Sequence, residues 1–210
     1  MQHVVLLGDS IFANAAYVGG GPDVVAQVRR KLPSGWRASL AAIDGAMIAD
    51  IGQQLQGLSG DATHIVVSIG GNDALGHSVV LAEPSRSVAD SLEQLAAVQE
   101  LFRRGYRTML DTVLRRGLPT TVCTIYEPRY PGDPERTRVR AAALCIINDC
   151  IIREAAVSGV PIIDLRFVCG EDADFANAIE PSVRGGNNIA AAIVSAVTQF
   201  AGSRSEIFTR

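Results

Sequence analysis

The stretch His3-Val4-Val5-Leu6-Leu7-Gly8-Asp9-Ser10 decides the fold. Four apolar residues run without interruption and then stop at a glycine. A short, continuous apolar run of this kind suits a strand covered on both faces. The strand is read as His3–Gly8. Four further runs have the same character: Arg37–Ile43, His64–Ile69, Thr120–Tyr126 and Val160–Leu165. Five strands alternating with helical patterns predict an α/β chain built of βαβ units. The expected architecture is a three-layer α/β/α sandwich around a five-stranded parallel sheet, forming a single domain over residues 1–210.

Helical periodicity fills the gaps between the runs. A first helix is expected from Pro22–Asp23 to Lys31–Leu32, and a second over Ala46–Leu58. Val88, Leu92, Leu95, Gln99 and Phe102 begin a long third helix that extends to Arg116 with a break at Gly105. The fourth carries Val139, Ala143, Ile146 and Cys150 on one face. The last carries Ile189, Ile193, Ala196, Val197 and Phe200.

Composition narrows the function. The chain has 210 residues, 48% hydrophobic, with a formal net charge of −3. That balance argues against a nucleic-acid partner, which needs a basic surplus along a phosphate track. No apolar run approaches the ~20 residues of a membrane span. Only Met1 and Gln2 precede the first strand, which leaves no room for a cleavable signal, so the expected location is cytoplasmic. Cys123, Cys145, Cys150 and Cys169 form no Cys-x-x-Cys pair and no histidine lies at ligand spacing, so reduced thiols and no metal are expected. A homodimer is compatible with an apolar α/β domain.

In a parallel sheet ligands bind at the carboxyl ends of the strands. Candidate residues are therefore those that follow a strand. Ser10 follows the first, where it is either a nucleophile or a helix N-cap. Asp9 can hold its turn. Asp44-Gly45-Ala46 follows the second strand, and Gly45 can present a backbone N–H there or serve only as a tight turn. Gly70-Gly71-Asn72-Asp73 follows the third. The Asn72 amide can join an oxyanion site, with Asp73 as a brace, or the pair can form a self-satisfied turn.

Gly-Asp-Ser, then Gly, then Gly-x-Asn-Asp, in this order and at this sheet end, resembles the SGNH hydrolase family, also called GDSL esterases. The resemblance implies a flavodoxin-like SGNH hydrolase fold and ester hydrolysis without metal or organic cofactor. It implies Ser10 as nucleophile. It implies an oxyanion hole of the Ser10 and Gly45 N–H groups and the Asn72 side chain.

The family's last block departs here. It is an aspartate, two residues, then a histidine, usually followed by proline, and the histidine is the general base. This chain has Asp174-Phe175-Ala176-Asn177-Ala178-Ile179-Glu180-Pro181. Alignment on the proline puts Glu180 in the histidine position and Asn177 in the aspartate position. A second register matches Asp174 to the aspartate and leaves Asn177 for the histidine. Neither supplies an imidazole. His3 and His64 open strands and so sit at the wrong sheet end, while His77 lies on the correct side as an alternative base. Glu180 is read either as the base or as a cap of the next helix. As a base its pKa must rise from about 4.3 toward neutrality, which burial can achieve.

Glu127–Glu135 follows the fourth strand and is expected to border the site. Arg129 and Tyr130 are candidates to contact a carboxylate, phosphate or sugar, and Ile11 and Leu75 to line an acyl pocket. Two functions follow: a serine hydrolase of small acyl esters, or a noncatalytic relative that binds an acylated or carbohydrate ligand. A nucleotide-binding flavodoxin-like protein fits less well, because the loop after the first strand lacks the glycine spacing of a phosphate cradle.

Overall fold

A computed structural model describes residues 1–199 and 206–208 of the chain. The strands are β1 Gln2–Gly8, β2 Trp36–Leu40, β3 His64–Ser68, β4 Thr120–Cys123, β5 Ile162–Ile163 and β6 Ile207–Phe208. They form one parallel sheet in the order β2-β1-β3-β4-β5-β6. The direction of strand placement reverses between β1 and β3, so the loops after these two strands meet at the switch point.

The α-helices are α1 Val24–Lys31, α2 Ile51–Gln56, α3 Gly71–His77, α4 Val88–Leu114, α5 Pro134–Val157, α6 Leu165–Val168 and α7 Val183–Gln199. Alternate residues of β1 feed the two faces, as strand pleating requires. Val4 and Leu6 pack with α1, α6 and α7. Val5 and Leu7 pack with α2, α4 and α5. Three layers result.

Several expectations are corrected. Among the described residues the sheet has six strands rather than five, because Ile207–Phe208 pairs with β5. A two-residue strand has too little pattern to be read from sequence. Ala46–Leu58 is a 3-10 turn over Ile48–Asp50 followed by the short α2. Helix α4 passes through Gly105 without a break. Phe102, Tyr106, Met109, Leu110 and Val113 bury one continuous face around that glycine, and this outweighs its cost of ~1 kcal/mol. Val88 and Leu92, at the start of α4, are exposed rather than core. In α5 the buried face is Leu144, Ile147 and Ile151 with Cys150, while Val139 is exposed. Ile189, Ile193, Ala196 and Val197 are buried in α7, and Phe200 lies outside the described residues. Among the described residues no helix is long and apolar enough to cross a membrane.

Candidate active site

The end of β1 is forced by packing against β3. Gly8 has φ +138°, and a Cβ there would stand 1.8 Å from the Ser68 carbonyl oxygen. Only glycine allows that approach. Gln54 of α2 grips both backbone groups of Gly8, accepting from its N–H and donating to its carbonyl at 2.8 Å each. The chain then turns sharply. Asp9 Oδ1 accepts the Ile11 N–H at 3.1 Å, which fixes the turn that presents Ser10. Burial pushes the Asp9 carboxyl up to about 7, and the charges of Glu180 and Asp73 add to the effect.

The Ser10 hydroxyl donates to Glu180 Oε1 at 3.0 Å. Glu180 is only 5% exposed, and its other oxygen, Oε2, is buried without a hydrogen-bond partner among the described residues. Burial raises the Glu180 carboxyl to about 7, with the Ser10 hydrogen bond opposing and the nearby Asp44 charge reinforcing the rise. The turn before Glu180 is organised by Asn177, whose Oδ1 accepts the N–H groups of Ile179 and Glu180 at 2.9 Å each. Asn177 thus fixes the backbone, and among the described residues no hydrogen bond joins it to the Glu180 carboxyl.

The loops after β2 and β3 are tied together. Asn72 Nδ2 donates to the Ala46 carbonyl at 2.9 Å, and Asp73 Oδ2 accepts the Ile48 N–H at 3.0 Å. Gly45 sits one residue before the anchoring carbonyl, at φ +78° in an exposed turn. Among the described residues, neither the Ser10 nor the Gly45 backbone N–H has an acceptor within the chain.

Ser10, Asn72 and Glu180 border one cavity of about 110 Å³. Its remaining walls are largely apolar. Ile11 and Leu75 line it, joined by Val80, by Leu95 and Val98 of α4, and by Ala143 and Ile147 of α5. Tyr130 and His77 also line it. No hydrogen bond connects His77 to Ser10. His3 is buried against Asp61 and Ser39, at 3.0 and 2.7 Å, and His64 bonds Thr63; both lie at the amino end of the sheet.

Two candidates stand elsewhere. Arg129 does not line the cavity. Its guanidinium donates to the Gly170 carbonyl, pairs with Asp172 at 3.6 Å and lies over Phe175. Asp174 is fully buried and structural. It pairs with Arg184 at 3.2 Å, accepts from Asn188 Nδ2 at 3.0 Å and accepts the Glu171 N–H at 3.0 Å. These contacts lock the start of α7, so the register that made Asp174 the family aspartate is not the one in which a carboxylate meets Ser10.

Sequence reasoning missed the residues that hold Glu180 in place. Asn14, fully buried, donates to the Pro181 carbonyl at 3.1 Å and accepts the Val24 N–H at 2.9 Å. Tyr126 donates to the Ile179 carbonyl at 2.7 Å. No local pattern marks either residue; an apolar strand ending in tyrosine was the only signal. Arg140, which lines the cavity, was masked by the surface pattern of α5.

The GDSL-like lipase/acylhydrolase family matches residues 6–185. No curated protein matches the chain in sequence. Among solved structures, an extracellular lipase from Streptomyces rimosus is similar at TM-score 0.66 and 17% identity, over 95% of this chain and 99% of that one. A phospholipase A1 from Streptomyces albidoflavus NA297 is similar at 0.63 and 16%, over 95% and 99%. A psychrotrophic esterase from Pseudoalteromonas sp. is similar at 0.65 and 14%, over 95% and 98%. At these identities the likeness is one of fold.

Proposed function

The chain belongs to the GDSL-like lipase/acylhydrolase family, and we propose that it hydrolyses small acyl esters with Ser10 as nucleophile and Glu180 as general base. The observation that carries this reading is the 3.0 Å hydrogen bond from the Ser10 hydroxyl to a buried carboxylate whose pKa is raised to about 7. A base poised near the working pH best combines availability with proton affinity.

In this mechanism Ser10 Oγ attacks the ester carbonyl as its proton passes to Glu180 Oε1. The carbonyl oxygen becomes an oxyanion held by the Ser10 and Gly45 N–H groups and by Asn72. The lack of intramolecular acceptors for both backbone groups supports that assignment. Glu180 then returns the proton to the departing alkoxide, leaving an acyl-serine. Water attacks the acyl group in the second half, again giving a proton to Glu180, which passes it to Ser10 Oγ as the acyl–oxygen bond breaks and the carboxylic acid leaves. Ile11 and Leu75, which line the apolar cavity, flank the acyl chain.

The test is hydrolysis of p-nitrophenyl butyrate together with labelling by a fluorophosphonate probe. Turnover and clean labelling of the wild type, both lost in Ser10→Ala, are expected. A folded wild type that neither turns over nor labels would overturn the catalytic reading in favour of a noncatalytic relative that binds an acylated ligand.

A further inference from the structure

Arg140 lines the cavity on the α5 side, where its neighbours in the wall are apolar, away from the polar end formed by Asp9, Ser10, Asn72 and Glu180. It lies on α5 with Ala143, Leu144 and Ile147, at the i, i+3, i+4 and i+7 positions that share one helix face. The face therefore carries a guanidinium at its outer end and apolar side chains over the next ~10 Å. Arg140 is half-buried, and its guanidinium makes no hydrogen bond and no ion pair among the described residues. Its guanidinium lies over the Tyr130 ring, 5.6 Å away, and Arg136 lies over the same ring at 4.2 Å.

Tyr130 in turn is fixed. Its N–H donates to Thr137 Oγ1 at 3.2 Å, and the preceding residue donates its N–H to the Ala178 carbonyl, two residues before Glu180. The platform under Arg140 is thus coupled to the segment that supplies Glu180. An arginine placed on an aromatic face, with its planar donors unused, is matched to a carboxylate or phosphate, whose oxygens accept two parallel hydrogen bonds. An anion entering here would otherwise meet Asp9 and Glu180, both of which line the cavity. Arg140 supplies the compensating charge.

We propose that Arg140, seated on Tyr130, recognises a carboxylate or phosphate carried by the substrate, so that the preferred ester is amphipathic: an apolar segment in the cavity and an anionic group at Arg140. This inference rests on the ester-hydrolase reading. The anion can belong to the acyl part or to the alcohol part.

Two pairs of esters separate these sources. In the acyl arm, p-nitrophenyl hemiglutarate is compared with p-nitrophenyl pentanoate. In the alcohol arm, 3-(pentanoyloxy)benzoate is compared with 3-(pentanoyloxy)benzamide. The wild type is expected to prefer the anionic member in one arm, with the gain in KM. Arg140→Ala should lower the anionic-to-neutral ratio of kcat/KM about tenfold, the scale of a charge-assisted hydrogen bond, and Arg140→Lys should restore part of it. No anionic preference in either arm, or a ratio unchanged in Arg140→Ala, overturns the proposal.

Calorimetric titration with octanoate and octanamide makes the test independent of turnover. Octanoate should bind the wild type about tenfold tighter than octanamide, and Arg140→Ala should abolish the difference. Equal affinities in the wild type overturn the anion site. If no ester is hydrolysed while octanoate is still preferred, the ester-hydrolase reading fails and the anion site stands.

Discussion

Asn177 holds Glu180 by its backbone: Asn177 Oδ1 accepts the Glu180 N–H at 2.9 Å, and the Glu180 side chain, among the described residues, accepts from Ser10 alone. Asn177 is thus a brace of the turn that carries Glu180. The carboxylate needs no tautomer to be fixed, and its orientation comes from burial and from the loop carbonyls held by Asn14 and Tyr126.

A base that must be ionised gives a rate that rises with pH. Glu180 is raised to about 7, so kcat/KM for a neutral ester should climb through pH 6–8 and flatten above. A pH–rate profile of the free enzyme measures this. A rate flat from pH 5 to 8 would assign the proton to another group.

Glu180→Gln should lower kcat by about 10²-fold or more, on the scale of general-base catalysis, while leaving an amide oxygen to accept from Ser10. The same substitution should stabilise the fold. A carboxyl raised in the folded state is fully compatible with folding below its unfolded pKa, and the cost of ionising it appears as pH rises through the folded value. The variant should therefore be more stable than the wild type at pH 8.5, by ~1–3 kcal/mol and with a higher melting temperature, and of similar stability at pH 4. Thermal melts at the two pH values decide it.

Asp174→Ala should destabilise by ~1–3 kcal/mol, because it removes the buried acceptor of the Asn188 amide and the Glu171 N–H and the partner of Arg184. Its effect on the rate per folded molecule should be small beside that of Glu180→Gln. Denaturant melts combined with active-site titration separate the two quantities. A fully stable variant with lost activity would return Asp174 to the catalytic set.

Gly8→Ala should cost more than about 3 kcal/mol, since its Cβ would overlap the Ser68 carbonyl 1.8 Å away at a φ that L-residues rarely adopt. Failure to accumulate folded protein, seen by circular dichroism, is the expected outcome. Gly45→Ala provides the contrast. A Cβ at Gly45 meets nothing within 4 Å, so only the strain of φ +78° is felt and the protein should fold with a loss of ~1 kcal/mol.

By itself the sequence determined the parallel α/β sheet and the sheet end that carries the chemistry. Gly8-Asp9-Ser10 and Gly70-Gly71-Asn72-Asp73 are legible because strand ends and turns are local, set by apolar runs and by the freedom of glycine. Only the tertiary structure decided which carboxylate reaches Ser10. Asp174, Asn177 and Glu180 lie within seven residues, and the packing of this segment sends Asp174 to Arg184, Asn177 to the backbone and Glu180 to the serine. The same holds for Arg129 and Arg140, two cations of one neighbourhood: one is spent on Gly170 and Asp172, the other faces the cavity. Periodicity records which residues sit on one face of an element. It does not record the contact between Ser10 and a residue 170 positions away, which exists only once α7 and the loop before it have packed against the sheet.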